Sequence, residues 1–191
     1  MTFRYIGSKA RLVGSLAAFV ETVNVRRGLF VDAFCGTGAM AEAAADMGLP
    51  IWINDSLESA VIMAEARLTA RQDASFAALG GYHAALDRLN ALAPAEGFIF
   101  STYSPASVRT CGFERRYFTE ANAGRIDAMR GLIATWADDG TITPTEAKLL
   151  VGDLISALNR VANIAGTYGC FLSTWQKSSF DRIDLRPRVL R

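Results

Sequence analysis

The five prolines of this 191-residue chain, Pro50, Pro94, Pro105, Pro144 and Pro187, never adjoin one another. Histidine occurs once, at position 83, and the three cysteines, Cys35, Cys111 and Cys170, form no C-x-x-C pair. That scarcity argues against both a zinc site and a disulfide framework. Lysine and arginine number 20 against 19 acidic residues, a net charge of +1, so no global basic field marks the chain for nucleic acid. No uninterrupted apolar run approaches the ~18 residues of a membrane span, and the start lacks the basic, apolar and small-residue order of a secretion signal. A soluble, cytoplasmic protein without a membrane partner is expected. Internal repeats and low-complexity segments are also missing.

What is present is apolar, at 51% hydrophobic residues, a level that suits a sheet buried on both faces or a surface covered by a partner. Apolar residues at helical spacing from Arg11 to Val23 predict an amphipathic helix. Leu29 to Ala33 reads as a short strand, followed by the glycine loop Cys35-Gly36-Thr37-Gly38 and a helix from Ala39 to Met47, stopped by Gly48-Leu49-Pro50. Ile51 to Ile53 forms a second strand, and Asp55 or Ser56 caps a helix running to about Arg71. This β-α-β order brings both strand ends, with the glycines and Asp55, to one edge.

Beyond it the chain turns helical. Helices are expected from Phe76 to Leu92, from Glu120 to Trp136, and from Thr143 to about Gly166. The last opens on a capping signal in which Thr143 caps, Pro144 takes the first helical position and Glu146 follows three residues after the cap. Phe98 to Pro105 is aromatic and turn-like. The tail from Lys177 is basic and weakly patterned.

Gly36-x-Gly38-x-x-Ala41 satisfies the relaxed dinucleotide pattern, which leaves a tight structural turn and a nicotinamide oxidoreductase open. Asp32 points elsewhere. A carboxylate at the strand end repels a diphosphate but accepts hydrogen bonds from a cationic amino-acid group. An acidic residue about 20 positions past the glycines, Asp55, suits ribose hydroxyls. S-adenosylmethionine combines both features.

Asp32-Ala33-Phe34-Cys35-Gly36-Thr37-Gly38, preceded by Arg4-Tyr5-Ile6-Gly7-Ser8-Lys9 and followed by Asn54-Asp55, resembles the opening of the Dam-like (α-group) adenine-specific DNA methyltransferases. The resemblance implies a Rossmann-like α/β methyltransferase fold with an incomplete sheet and a mostly helical insertion. It implies that Tyr5 and Lys9 touch S-adenosylmethionine, that Asp32, Phe34, Gly36 and Gly38 surround its methionine part, and that Asp55 holds its ribose. Ala33 stands where the family usually has proline. Residues 1–94 would be the cofactor portion, 95–175 a target-recognition insertion, and 176–191 a tail towards the catalytic half.

Within the insertion, Arg115-Arg116-Tyr117-Phe118 and Asn159-Arg160-Val161-Ala162-Asn163 with Gly166-Thr167-Tyr168-Gly169 are similar to the family's DNA-contacting region. Arg109, Arg115, Arg116 and Arg160 suit phosphates, while Asn163 and Tyr168 suit base edges and faces. The alternative is that Arg160 and Asn163 tie down a helix end. Members of the class hold a flipped adenine with an acidic-proline-proline-aromatic motif. No proline pair exists here, and Ser104-Pro105 lacks the aromatic, so no catalytic residue is assigned. The chain alone is expected to be inactive, either as a truncated remnant or as half of a split enzyme completed by a second chain or by self-association, or to act as a non-catalytic DNA-binding or regulatory module. His83 reads as a helix-surface or core-edge residue and Cys35 as a small apolar filler, since neither has a partner for acid-base or nucleophilic work.

Overall fold

The computed structural model describes residues 27–191 together with Gly14, Ala18 and Thr22. Tyr5, Lys9 and, apart from those three residues, the helix expected from Arg11 to Val23 lie outside the described residues. The elements follow in the order β1 (Phe30–Asp32), α1 (Ala39–Asp46), β2 (Ile51–Ile53), α2 (Glu58–Leu68), α3 (Tyr82–Asn90), α4 (Phe98–Tyr103), α5 (Val108–Cys111), α6 (Glu120–Asp138) and α7 (Pro144–Val161), with short 3-10 turns between. β1 and β2 pair in parallel, Phe30 opposite Ile51, Val31 opposite Trp52 and Asp32 opposite Ile53. The described residues therefore hold a two-stranded parallel sheet beside a mostly helical body.

Helix α2 links the two parts. It packs on α1 and, more extensively, on α7, which also packs on α6. The core gathers in the helical body around Phe76, Leu89, Ile126, Met129, Leu149, Leu150, Ile164 and Ile183, all almost fully buried. No helix among the described residues is long and apolar enough to cross a membrane.

Local chemistry explains where elements begin and end. α1 stops at Gly48, whose φ of +80° continues the chain in the left-handed region. The run expected as one helix from Phe76 breaks into a 3-10 turn and α3, because Phe76, Gly80 and Gly81 all have positive φ. α2 starts at Glu58, later than expected, and its N-terminus has no side-chain cap, since Asp55 is engaged elsewhere. Phe98–Tyr103 is helical rather than turn-like. Its first amides are capped from a distance: Asp127 accepts the Ile99 N–H at 3.0 Å and the Phe100 N–H at 2.7 Å, and a β-carbon on Gly97 would collide with that carboxylate. α7 ends at Val161, short of Gly166, because Asn163 leaves the helix to pair with Tyr117.

The tail, patternless in sequence, is built into the core. Ile183 and Leu185 are buried, Asn90 exchanges two side-chain hydrogen bonds with the Leu185 backbone, and Asn122 holds Ser179, Asp181 and Ile183. Arg188 and the Tyr82 hydroxyl both donate to buried Asp153, at 2.6 and 2.5 Å. Burial pushes the Asp153 carboxyl up, against the downward pull of Arg188 and Tyr82. Arg191 exchanges backbone hydrogen bonds with Thr69 and Arg71.

Glu146 closes the capping box of α7, accepting the Thr143 N–H at 2.8 Å, and its other oxygen accepts the N–H of Phe76, which is buried at a φ of +48°. One carboxylate thus caps a helix and holds a strained turn. Glu146→Ala is predicted to destabilise the protein by about 2–4 kcal/mol, adding a lost cap to an orphaned buried N–H. Glu146→Gln keeps one acceptor and should fall between. Urea unfolding checks this, and a loss for Glu146→Ala below about 1 kcal/mol would remove Phe76 from the account.

Candidate cofactor and DNA site

The parallel pairing of β1 with β2 continues past both strands and sets the glycine loop. Asn54 N–H donates to the Asp32 carbonyl and Cys35 N–H to the Asn54 carbonyl, each at 2.9 Å, while the Asn54 side chain donates to the Ala33 carbonyl at 3.0 Å. Asp32 and Asp55 therefore sit at neighbouring strand ends. The Asp55 carboxylate accepts the Gly36 N–H at 2.9 Å and, through its other oxygen, the Leu57 N–H at 3.1 Å. Gly36 and Gly38 take φ of +51° and +77°, so left-handed backbone turns the loop into α1. Gly38 has a second constraint, since a β-carbon there would lie 2.7 Å from the backbone of Ala64 on α2.

Burial sorts the loop. Asp32, Cys35, Thr37 and Gly38 are buried, Gly36 and Asp55 half-buried, and Phe34 is 77% exposed. Cys35 fills the space beneath the loop, while His83 lies exposed on α3. Arg67, which no motif pointed to, reaches from α2 to donate to the Thr37 carbonyl at 2.9 Å and to Glu42 at 2.7 Å. A lone arginine in the last turn of a helix carries no signal of such a contact in its local sequence.

Among the residues suggested for DNA, Arg115, Arg116, Asn163 and Tyr168 come together. The buried Asn163 accepts the Leu172 and Gln176 N–H groups and donates to the carbonyls of Tyr117, Arg116 and Leu172, all at 2.8–3.0 Å. Every side-chain bond it makes is to protein backbone. Tyr168 stacks on Tyr117, lies tilted against Phe118 and is 41% exposed, while burial raises the pKa of its hydroxyl. The Arg115 guanidinium lies 5.2 Å over the exposed Phe113 ring. Arg116 pairs with Glu114 at 3.3 Å, and Arg109, on α5, approaches Glu96 at 3.8 Å. Arg160 faces the tail instead, donating to the Asp184 carbonyl. Ser104 is fully buried, its hydroxyl donating to Phe100 and accepting from Ala106, so Ser104-Pro105 is the cap of a turn. Among the described residues no group of His, Cys, Asp and Glu is placed to hold a metal ion.

The chain is similar to type II methyltransferase M.FokI of Planomicrobium okeanokoites, with 32% identity over 189 residues that make up 96% of this chain and 28% of the relative. It is similar to type II methyltransferase M.NlaIII of Neisseria lactamica, with 30% identity over 188 residues, 97% of this chain and 54% of the relative. Modification methylase LlaI of Lactococcus lactis subsp. lactis is 26% identical over 193 residues, 98% of this chain and 30% of the relative. The chain thus spans between about a quarter and just over half of these relatives' lengths. No solved structure matches. Enzymes of this kind are adenine-specific modification methylases of restriction-modification systems and use S-adenosylmethionine. Matched from residue 5 to residue 191 by the corresponding family profile, the chain belongs to the D12 class of N6 adenine-specific DNA methyltransferases.

Proposed function

We propose that this chain binds S-adenosylmethionine and DNA as part of a Dam-like adenine methyltransferase, with residues 1–94 as the cofactor portion and 95–175 as the DNA-facing insertion. The observation that carries this reading is the Asp55 carboxylate, tied to Gly36 of the loop while half-exposed at the strand edge. The carboxylate accepts the Gly36 and Leu57 amides, and an acidic group at this strand edge, beside the glycine loop, suits the vicinal hydroxyls of a ribose. Asp32 supplies the negative charge for the ammonium of the methionine arm, with Phe34, Gly36 and Gly38 alongside. Tyr5 and Lys9 complete the set from the amino-terminal segment.

The donor set disfavours a diphosphate. Two carboxylates stand at the strand ends, and Arg67, the guanidinium that reaches the loop, is already engaged by Thr37 and Glu42. When bound, S-adenosylmethionine supplies the activated methyl group. This chain's residues bind and orient the donor.

For DNA, Arg109, Arg115 and Arg116 offer cations to phosphates around the turn that holds Phe113, and the half-exposed ring of Tyr168 offers a stacking face. Arg160 and Asn163 enter this reading as the residues that hold the neighbouring backbone in shape. Methyl transfer needs a held acceptor, and the sequence contains no proline-proline-aromatic motif to hold a flipped adenine. We therefore infer that the chain acts with a polypeptide segment that carries this motif and further strands. Val31 and Trp52, opposite each other in register and 48% and 57% exposed, support that reading, because a parallel sheet is normally covered on both faces.

Asp55→Ala should weaken binding of S-adenosylhomocysteine by about 1.5–3 kcal/mol, the value of a hydrogen bond to a charged group, measured by titration calorimetry. Unchanged affinity would remove the ribose assignment, and binding of a nicotinamide dinucleotide in its place would favour an oxidoreductase. Replacing Arg115 and Arg116 by alanine together should weaken binding to all duplex sequences alike and lower the slope of log affinity against log salt by up to ~1.8. A sequence-selective loss with an unchanged slope would count against phosphate contact. In a labelled-methyl assay on adenine-containing DNA the chain alone should be silent, and adding a polypeptide with the missing motif should restore transfer that Asp32→Ala abolishes. Asp32-dependent activity of the chain alone would overturn the division of labour.

A further inference from the structure

Burial alternates along residues 182–186, with Ile183 and Leu185 in the core, so Arg182, Asp184 and Arg186 share the outward side of the segment. Four guanidiniums gather near it, two at Asp184 and two at the Asn90 carbonyl. Arg186 donates to Asp184 at 3.0 Å, and Arg160 contacts both the Asp184 carbonyl and, at 4.0 Å, its carboxylate. Arg125 and Arg182 donate to the same acceptor, the Asn90 carbonyl at the end of α3, at 2.6 and 2.7 Å. Arg188, the next cation along, is matched by buried Asp153 and adds nothing to the surplus.

This crowding is unfavourable for the isolated fold. Arg125 is 93% buried by its 7% exposure, and its Nε has no hydrogen-bond partner. Desolvation and the neighbouring positive charges lower the pKa values of Arg125, through Arg182, and of Arg160, through Arg186. A helix C-terminus needs no second guanidinium on a carbonyl that one already satisfies. Charge of one sign, collected beyond what the acidic residues neutralise and presented on the outward side of this segment, fits a polyanion.

We propose that Arg182 and Arg186, backed by Arg125 and Arg160, form a second anchor for the phosphodiester backbone of DNA, separate from the Arg109–Arg116 turn. The proposal rests on the reading of the chain as a DNA-binding methyltransferase component. Arg182 and Arg186 are the exposed members and meet the phosphates. Arg125 and Arg160 fix the shape behind them, holding the Asn90 and Asp184 carbonyls.

The same redundancy makes the test clean. When Arg182→Ala and Arg186→Ala are combined, Asn90 keeps Arg125 and Asp184 keeps Arg160, so the fold should persist and the urea midpoint should change little. Binding of a short fluorescent duplex by the full chain, followed across salt, should then show the slope of log affinity against log salt falling by about 1.8, with all sequences affected alike. Arg182→Lys with Arg186→Lys should restore the slope. An unchanged slope in the alanine pair, while the Arg115/Arg116 pair lowers it, overturns this anchor and leaves the DNA reading standing. A drop in midpoint with an unchanged slope assigns the four arginines to stability and also overturns it. Absence of salt-dependent binding by the unaltered chain overturns the DNA reading itself, and the anchor with it.

Discussion

Helix α2 meets its neighbours almost without side chains. A β-carbon on Gly38 would lie 2.7 Å from Ala64, and one on Gly152 would lie 2.5 Å from the β-carbon of Ala66, so loop and α7 press on α2 nearly backbone to backbone. Ala60, Ala64 and Ala66 are essentially fully buried at these seams. Such residues remove little apolar area from water, and their value lies in dense dispersion contact and in fixing distances. From this close approach follow Arg67 reaching the Thr37 carbonyl, Lys148 meeting Glu65 at 2.8 Å, and the glycine loop turning where Asp55 can hold it. A methyl group at either glycine would move the loop relative to the helical body.

Legibility in the sequence tracked the range of the interactions. Thr143-Pro144-Thr145-Glu146 declared its helix start because all the groups of a capping box lie within four residues, and Gly48 declared its stop because φ is a property of one residue. Both strands and the neighbouring placement of Gly36 and Asp55 followed from the order of elements. What was hidden depended on partners far along the chain. α4 is capped by Asp127 across 28 residues, and the segment Ile183–Leu185 is fixed by Asn90 and Asn122 across 61 to 95 residues. Neither leaves a local pattern. Arg67 and Glu146 each gained a second role from contacts that no spacing encodes.

In the proposed reading Asp55 serves both structure and ligand with one group. Its bond to the Gly36 amide carries the parallel ladder one step beyond the strands, so the carboxylate that shapes the loop also stands at the edge where a ribose would sit. Substituting it would disturb loop and ligand together. The Asp55→Ala measurement therefore reports a truncation that includes loop relaxation, and comparison with the unfolding midpoint separates the two parts.

Among the described residues burial is uneven, deep in the helical body and shallow at the sheet. The helical body encloses Phe76, Leu89, Met129 and Leu150 on all sides and pulls residues 183 and 185 in with them. Among the described residues the sheet has two strands of three residues, with Val31 and Trp52 exposed, well below the size at which strands are stable alone. Its order rests on α1 packed on it and on the loop bonds at its end. Opening of the sheet should accordingly require less free energy than opening of the helical body. A partner that covers the sheet face of Val31 and Trp52 would stabilise the element that carries Asp32 and Asp55, and with it the proposed cofactor site.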